Sequence, residues 1–294
     1  MRQSIRFCVA PLVAAAALAA CSHSTPDAKT TDSTTAAAAA PAAPNVLTVT
    51  ATDYAFDAPA QKPAGFTTIR VVDNGKEVHQ AALLRIEHGK SYADFAEALK
   101  TAKPDSPPPS WVVNAGGPNP PMPNGTAESM QYLVPGTYAI VCFVPSPDGT
   151  PHIAKGMMRE LTVTPSSAAA AAAPNADATV TLADYTFTTS APLTPGHHVV
   201  RVTNSGPQPH EIVLVHLQPG KTGADFAKWA MSMKGPPPGA LEGGVAAMAP
   251  GDTIYFPADL TPGTYAFVCF VPDAKDGKPH IAHGMVQDFE IKGT

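Results

Sequence analysis

Two stretches of the chain carry the same motifs in the same order, and this duplication limits the possible folds more than any other feature. Asp53-Tyr54-Ala55-Phe56 is matched by Asp184-Tyr185-Thr186-Phe187, and RVVDNGKEVHQAALL from Arg70 by RVTNSGPQPHEIVLV from Arg201. ADFAEAL from Ala93 returns as ADFAKWA from Ala224, PGTYAIVCFVP from Pro135 as PGTYAFVCFVP from Pro262, and PHIAKGM from Pro151 as PHIAHGM from Pro279. The two units, 45–164 and 177–294, are each long enough to bury a core of their own. The sequence is therefore read as a tandem duplication of one domain, not as a solenoid of short repeats.

Within each unit the apolar period is two. Thr-Ile-Arg-Val-Val, His-Glu-Ile-Val-Leu-Val and Thr-Tyr-Ala-Phe-Val-Cys alternate as half-buried strands do, and Gly and Pro turns separate them. With 33 Pro, 22 Gly and only 15% charged residues, composition favours a turn-rich β protein. One helix interrupts each unit, near 92–101 and 224–233, where Phe95 and Leu99 make an apolar stripe in the first copy. The expected fold is all-β: two tandem Greek-key β-sandwich domains, each with one inserted helix.

The flanking segments point to the cell envelope. Arg2 and Arg6 precede a short apolar run, Pro11 to Ala20, which reads as a secretory signal over 1–20 and is too short to span a bilayer. Leu18-Ala19-Ala20-Cys21 resembles a bacterial lipobox, implying cleavage before Cys21 and lipidation of its thiol. Ser22 after the cysteine resembles the outer-membrane sorting pattern of Gram-negative bacteria. Segment 21–44 reads as a disordered tether and 165–176, with its run of alanines, as a linker. The net charge of -5 offers no basic footprint for nucleic acid. With Cys8 in the signal and Cys21 acylated, Cys142 and Cys269 remain. A disulfide is one reading for them in an oxidising compartment. It would require equivalent strand ends of the two domains to meet within about 6 Å.

The other reading of these cysteines comes from their sequence neighbours. Tyr265, Phe267 and Cys269 alternate on one strand face, His280 and Met285 lie in the next loop, and His210 opens an earlier strand. The first unit repeats the set with His79, Cys142, His152 and Met157. Two imidazoles, a thiolate and a thioether suit copper in both oxidation states. Two His and one Cys with a weak axial Met describe a blue-copper electron-transfer site. On these residues each unit resembles a cupredoxin of the plastocyanin–azurin family. TNSGPQPHEIVLV looks like its first-ligand turn and strand, and GTYAFVC with PH and GMV looks like its Cys, second His and axial Met. The resemblance implies one copper per domain, one-electron transfer with a partner redox protein, and an exposed edge of His152 and His280 for contact. Nine residues separate Cys142 from His152 and ten separate Cys269 from His280, more than that family usually has. The surplus reads as a hairpin tip before Pro-His. Met122 and Met248 are weaker substitute axial ligands, whose plainer role is packing.

Copper oxidases and nitrite reductases built from cupredoxin domains need His-x-His pairs and a His beside the Cys. Here Phe143 and Phe270 come directly after the cysteines, and no nucleophile–base arrangement or phosphate loop stands out. The sequence is therefore expected not to be an enzyme and to take no small-molecule substrate. Two readings stay open: a lipid-anchored, periplasm-facing electron carrier, or a module that holds copper or binds without metal. His216 and His283 in the second unit stand where the first has Arg85 and Lys155, so the two sites are expected to differ electrostatically. His88, His197 and His198 read as solvated turn residues.

Overall fold

The computed structural model describes residues 45–102, 108–167, 171–232 and 234–293. The signal, Cys21 and the tether lie outside the described residues. The first repeat forms β1 (Val46–Thr52), β2 (Ala55–Asp57), β3 (Gln61–Pro63), β4 (Gly65–Asp73), β5 (Ala82–Ile86), α1 (Tyr92–Thr101), β6 (Val112–Asn114), β7 (Thr126–Leu133), β8 (Gly136–Val141) and β9 (Met158–Thr164). The second forms β10 (Ala178–Ala183), β11 (Thr186–Thr189), β12 (Gly196–Asn204), β13 (His210–Leu217), α2 (Gly223–Ser232), β14 (Gly239–Met248), β15 (Thr253–Leu260), β16 (Gly263–Val268) and β17 (Val286–Ile291).

Each repeat is a two-layer sandwich. In the first, β3-β9-β8-β5-β6 faces β7-β4-β1-β2, and in the second β14-β13-β16-β17 faces β11-β10-β12-β15. The inner faces are the alternate positions the sequence marks. Leu47, Val49, Ile69, Val71, Tyr138, Ile140 and Leu161 fill one core, and Val180, Leu182, Val200, Val202, Phe256, Tyr265 and Phe267 fill the other. The two helices lie on outer faces. Phe95 of α1 packs with Leu84 and Val141, and Phe226 of α2 with Val215 and Val268. The Ser91 side chain accepts from the Asp94 amide as Asp94 caps the Ser91 amide, while Thr222 and Asp225 repeat this box in α2.

The sandwiches are joined. β7 and β15 pair edge to edge at Met130 and Tyr255, so one layer of each becomes an eight-stranded sheet. Such pairing removes two exposed strand edges. The sequence carries no sign of it, because the joining residues face a neighbour instead of repeating a motif. His197 and His198 lie on β12, not in a turn as expected, and His88 does occupy a left-handed turn position. Among the described residues, no helix is long and apolar enough to cross a membrane.

Candidate metal centre

The first ligand histidine of each domain comes after a tight turn that leaves β4 or β12. In the first domain the Asp73 carboxylate accepts from the Gly75 and His79 amides at 2.9 and 3.0 Å, and in the second Asn204 takes the Gly206 amide at 3.0 Å. Glycine is required in that turn. A Cβ on Gly75 would lie 2.4 Å from Nε2 of His79, and one on Gly206 2.6 Å from Nε2 of His210. The cysteine directly follows β8 or β16, the second His opens a short 3-10 turn, His152–Lys155 or His280–His283, and the Met lies two residues beyond that turn. That turn is pinned to the cysteine backbone. Ile153 donates to the Cys142 carbonyl at 2.8 Å and Cys142 to that of Met157 at 3.3 Å, and Ile281, Cys269 and Met285 repeat this at 2.7 and 3.3 Å.

The surplus residues between Cys and His close on themselves as a hairpin. Ser146 donates to Thr150 at 2.9 Å and Asp273 to Lys278 at 2.8 Å, with Pro145 opposite Pro151 and Pro272 opposite Pro279. The long spacing therefore returns the His to the cysteine, and the three donor groups converge. Nδ1 of His79 lies 3.0 Å from Nδ1 of His152, which lies 3.4 Å from Sγ of Cys142. In the second domain His210 and His280 face each other at 3.1 Å and Cys269 Sγ is 3.4 Å from His280 Nδ1. All six residues are fully buried. Met157 and Met285 are fully buried in the same apolar clusters as Cys142 and Cys269. Of the substitute candidates, Met122 is 39% exposed and Met248 packs in the second core opposite His210. The two cysteines are free thiols, so the disulfide reading is set aside.

Each imidazole turns its other nitrogen outward. Asp53 Oδ1 lies 3.1 Å from His79 Nε2, Asp184 Oδ1 3.1 Å from His210 Nε2, and Glu77 Oε2 2.8 Å from His152 Nε2. An ionised carboxylate only accepts, so these histidines carry the proton on Nε2 and leave the Nδ1 lone pair inward. In the first domain two inward lone pairs and a sulfur thus form a donor set for a cation, and in the second His210 supplies one such lone pair beside Cys269 and His280. The arrangement therefore fits a metal ion held by two neutral imidazoles and a thiolate, with carboxylates orienting the imidazoles from behind.

Burial lowers the affinity of His152, His210 and His280 for a proton. It dominates over the Glu77 and Asp184 hydrogen bonds that oppose it, and His280 falls to about 4 with His210 adding to the effect. Burial also pushes the Cys142 thiol up to about 12 and raises that of Cys269, where the Glu211 charge adds. Metal-free protein at neutral pH thus holds His152, His210 and His280 neutral and both thiols protonated. Metal uptake must displace about one proton per site, and affinity should rise about tenfold per pH unit between roughly pH 7 and 9. Calorimetry in buffers of different ionisation heat will read the released protons, and uptake without proton release would contradict this protonation state.

The exposed imidazole edge expected from the sequence is absent: His152 and His280 are sealed. The inserted hairpin and a tyrosine do this. Tyr54 packs edge-on against His152 at 5.2 Å and Tyr185 against His280 at 5.5 Å. Both tyrosines adopt left-handed backbone (φ 66° and 62°), a conformation costly for a bulky residue and retained in both copies. Lys155 stacks on Tyr54 at 4.7 Å and His283 on Tyr185 at 5.0 Å.

The two sites share this plan but not its charges. Glu77 bonds both Tyr54 and His152, while its counterpart Gln208 is neutral and the carboxylate comes from Asp273. Asp273 accepts from Tyr185 at 2.5 Å and Gln208 at 3.0 Å but stays 3.7 Å from His280 Nε2, which has no hydrogen-bond partner among the described residues. Sequence reasoning missed Asp53, Tyr54, Asp184 and Tyr185, although the repeated Asp-Tyr-x-Phe motif announced them. Glu77 and Asp273 left no such signal, because they occupy non-equivalent positions.

Fold and donor set together make each domain a cupredoxin-like sandwich with a buried His-Cys-His cluster able to hold a metal ion. No protein-family model matches the chain, and no curated protein matches it in sequence. Among solved structures it is similar to a dithionite-reduced auracyanin from the photosynthetic bacterium Roseiflexus castenholzii, at 20% identity over 42% of this chain and 99% of that one, TM-score 0.29. It is also similar to a multicopper oxidase (14% identity, 84% of this chain, 88% of that one, TM-score 0.24) and to a copper-containing nitrite reductase from Thermus scotoductus (13%, 84% and 61%, TM-score 0.21). The expectation that the chain is not an enzyme is corrected by this finding, since the oxidase and the reductase are enzymes. That expectation rested on the missing His-x-His pairs, on Phe143 and Phe270 in place of a His beside each Cys, and on the lack of a nucleophile–base arrangement or phosphate loop, which exclude particular arrangements and not catalysis as such.

Proposed function

We propose that the chain is a copper-binding lipoprotein of the cell envelope, facing the periplasm, that carries single electrons through a type 1-like site in each domain. The observation that carries this reading is the double convergence of two buried imidazoles on a buried thiol, three of the four imidazoles held by a carboxylate, with a methionine just beyond the second His. His79, Cys142, His152 and Met157 would hold one copper, and His210, Cys269, His280 and Met285 the other. Bound copper would supply reversible one-electron chemistry between Cu(II) and Cu(I). The protein contributes a dry pocket, ligands held by carboxylates and backbone, and little room to rearrange. A redox partner protein would meet the tyrosine cover, with Lys155 in one domain and His283 in the other, and not a bare imidazole. Voltammetry of the copper-loaded chain tests this, with reversible waves expected.

A second reading, a module that holds copper without passing electrons, is favoured by the sealed imidazole edges. It predicts copper uptake with no reversible wave. Anchoring through Cys21 is tested separately. Cys21→Ala should move the protein from the membrane to the soluble fraction, and unchanged membrane association would count against the lipid.

A further inference from the structure

The loop between β6 and β7 reaches out of the first domain and is stitched to β14 of the second. Gly116 donates to Ala247 at 2.9 Å, Ala246 to Gly117 at 2.8 Å and Asn119 to Gly244 at 3.2 Å. Equivalent glycines on the two sides of the seam each lie against the backbone of their own domain: a Cβ on Gly117 would lie 2.2 Å from the Ala81 carbonyl, and one on Gly244 2.1 Å from that of Ile212. This seam buries Asn119 between Gln80 and Glu211, the residues next in sequence to the first ligand histidines, which are themselves buried.

The polar atoms of these three side chains form an unbroken series. The amide of Phe143, next to Cys142, donates to Gln80 Oε1 at 3.2 Å. Gln80 Nε2 donates to Asn119 Oδ1 at 3.0 Å, and Asn119 Nδ2 to Glu211 Oε2 at 3.3 Å. Glu211 Oε1 accepts from the amide of Phe270, next to Cys269, at 2.8 Å, and the Glu211 amide points at Cys269 Sγ at 3.5 Å. Chemistry dictates the orientations. Asn119 Nδ2 also faces the carbonyls of Ile212 and Val245 at 2.9 Å, which only accept, so the nitrogen must lie on that side. Its two protons serve three acceptors, and the Glu211 contact is the longest.

We propose that Gln80, Asn119 and Glu211 form a relay that couples the two cysteine sites electronically across the domain seam. The proposal rests on the reading of the chain as a copper protein. With copper held at both cysteines, the relay would serve a one-electron exchange in which one site's Cu(I) would be oxidised as the other's Cu(II) would be reduced, with no bond made or broken and no proton moved. Hydrogen bonds replace through-space gaps along the path, and a contiguous polar network is the physical carrier of coupling between buried sites. With the imidazole edges sealed, a partner at either domain gains access to both centres.

The test is pulse reduction of the fully oxidised, copper-loaded full chain by less than one electron per protein. Wild type should show a redistribution phase whose rate is independent of protein concentration. Asn119→Leu, which keeps the shape and removes both links, should slow that phase by roughly tenfold, with copper content and both potentials unchanged. Gln80→Met cuts the same path on one side and serves if Asn119→Leu does not fold. A redox-free readout runs in parallel. Zn(II), which accepts the same donors, is titrated into Cys269→Ser while the Phe270 amide resonance is followed. It should shift as the first site fills, and not when Asn119→Leu is added. An unchanged rate in folded variants, or no such phase in wild type, overturns the relay. A wild type without a thiolate band overturns the copper reading instead, and the Zn(II) titration then decides the coupling by itself.

Discussion

Cys142→Ser and Cys269→Ser should each remove one copper from the chain and about half of its thiolate-to-Cu(II) absorption, and the double variant should take up neither. The thiolate is the ligand that a hydroxyl cannot replace. It is soft, it donates the charge that gives the visible band, and it stands 3.4 Å from a ligand imidazole nitrogen in each site. Serine is nearly isosteric and its hydroxyl meets an imidazole acceptor, so the buried substitution leaves a polar group with a partner. The surviving site is the internal control, because its ligands lie wholly in the other domain. Elemental copper content and absorbance, read on the same samples, check the result. Retention of two coppers by either single variant would contradict the ligand assignment.

The second large effect lies behind the ligands. Asp184→Ala should weaken copper binding at the second site by about 10–100-fold while leaving the first site unchanged. Asp184 lies 3.1 Å from His210 Nε2 and fixes which nitrogen faces the cysteine. Among the described residues no carboxylate hydrogen-bonds the other imidazole, His280, so Asp184 carries the orienting role in this domain. In the first domain the role is divided between Asp53 and Glu77, and loss of either should cost less than loss of Asp184. Competition with a copper chelator on Cys142→Ser and Cys142→Ser/Asp184→Ala measures the effect directly. Equal affinities within twofold would show that the carboxylates do not orient the ligands.

Much of this architecture was legible in the amino-acid sequence. The repeat placed His79 with His210 and Cys142 with Cys269, and a ligand set retained twice in order is hard to reconcile with chance packing. Alternation gave the sandwich because a strand has only two faces to fill. What was hidden depends on shape. The Cys-to-His insertions could equally swing outward or fold over the site, and only the hairpin closure at Ser146–Thr150 and Asp273–Lys278 decides that they help to bury the imidazoles. Tyr54 and Tyr185 were visible as a repeated motif but not as covers, because nothing in a sequence shows a positive φ at a bulky residue. Asn119 was invisible: its partners come from both domains, and its place in the seam depends on the β7–β15 pairing that no motif marks.

Loading the purified chain with Cu(II) and recording its visible spectrum against its copper content tests the central claim most directly. The account predicts two coppers per chain and an intense thiolate charge-transfer band that bleaches on reduction and returns on reoxidation. Copper taken up with no thiolate band and no reversible response would contradict it.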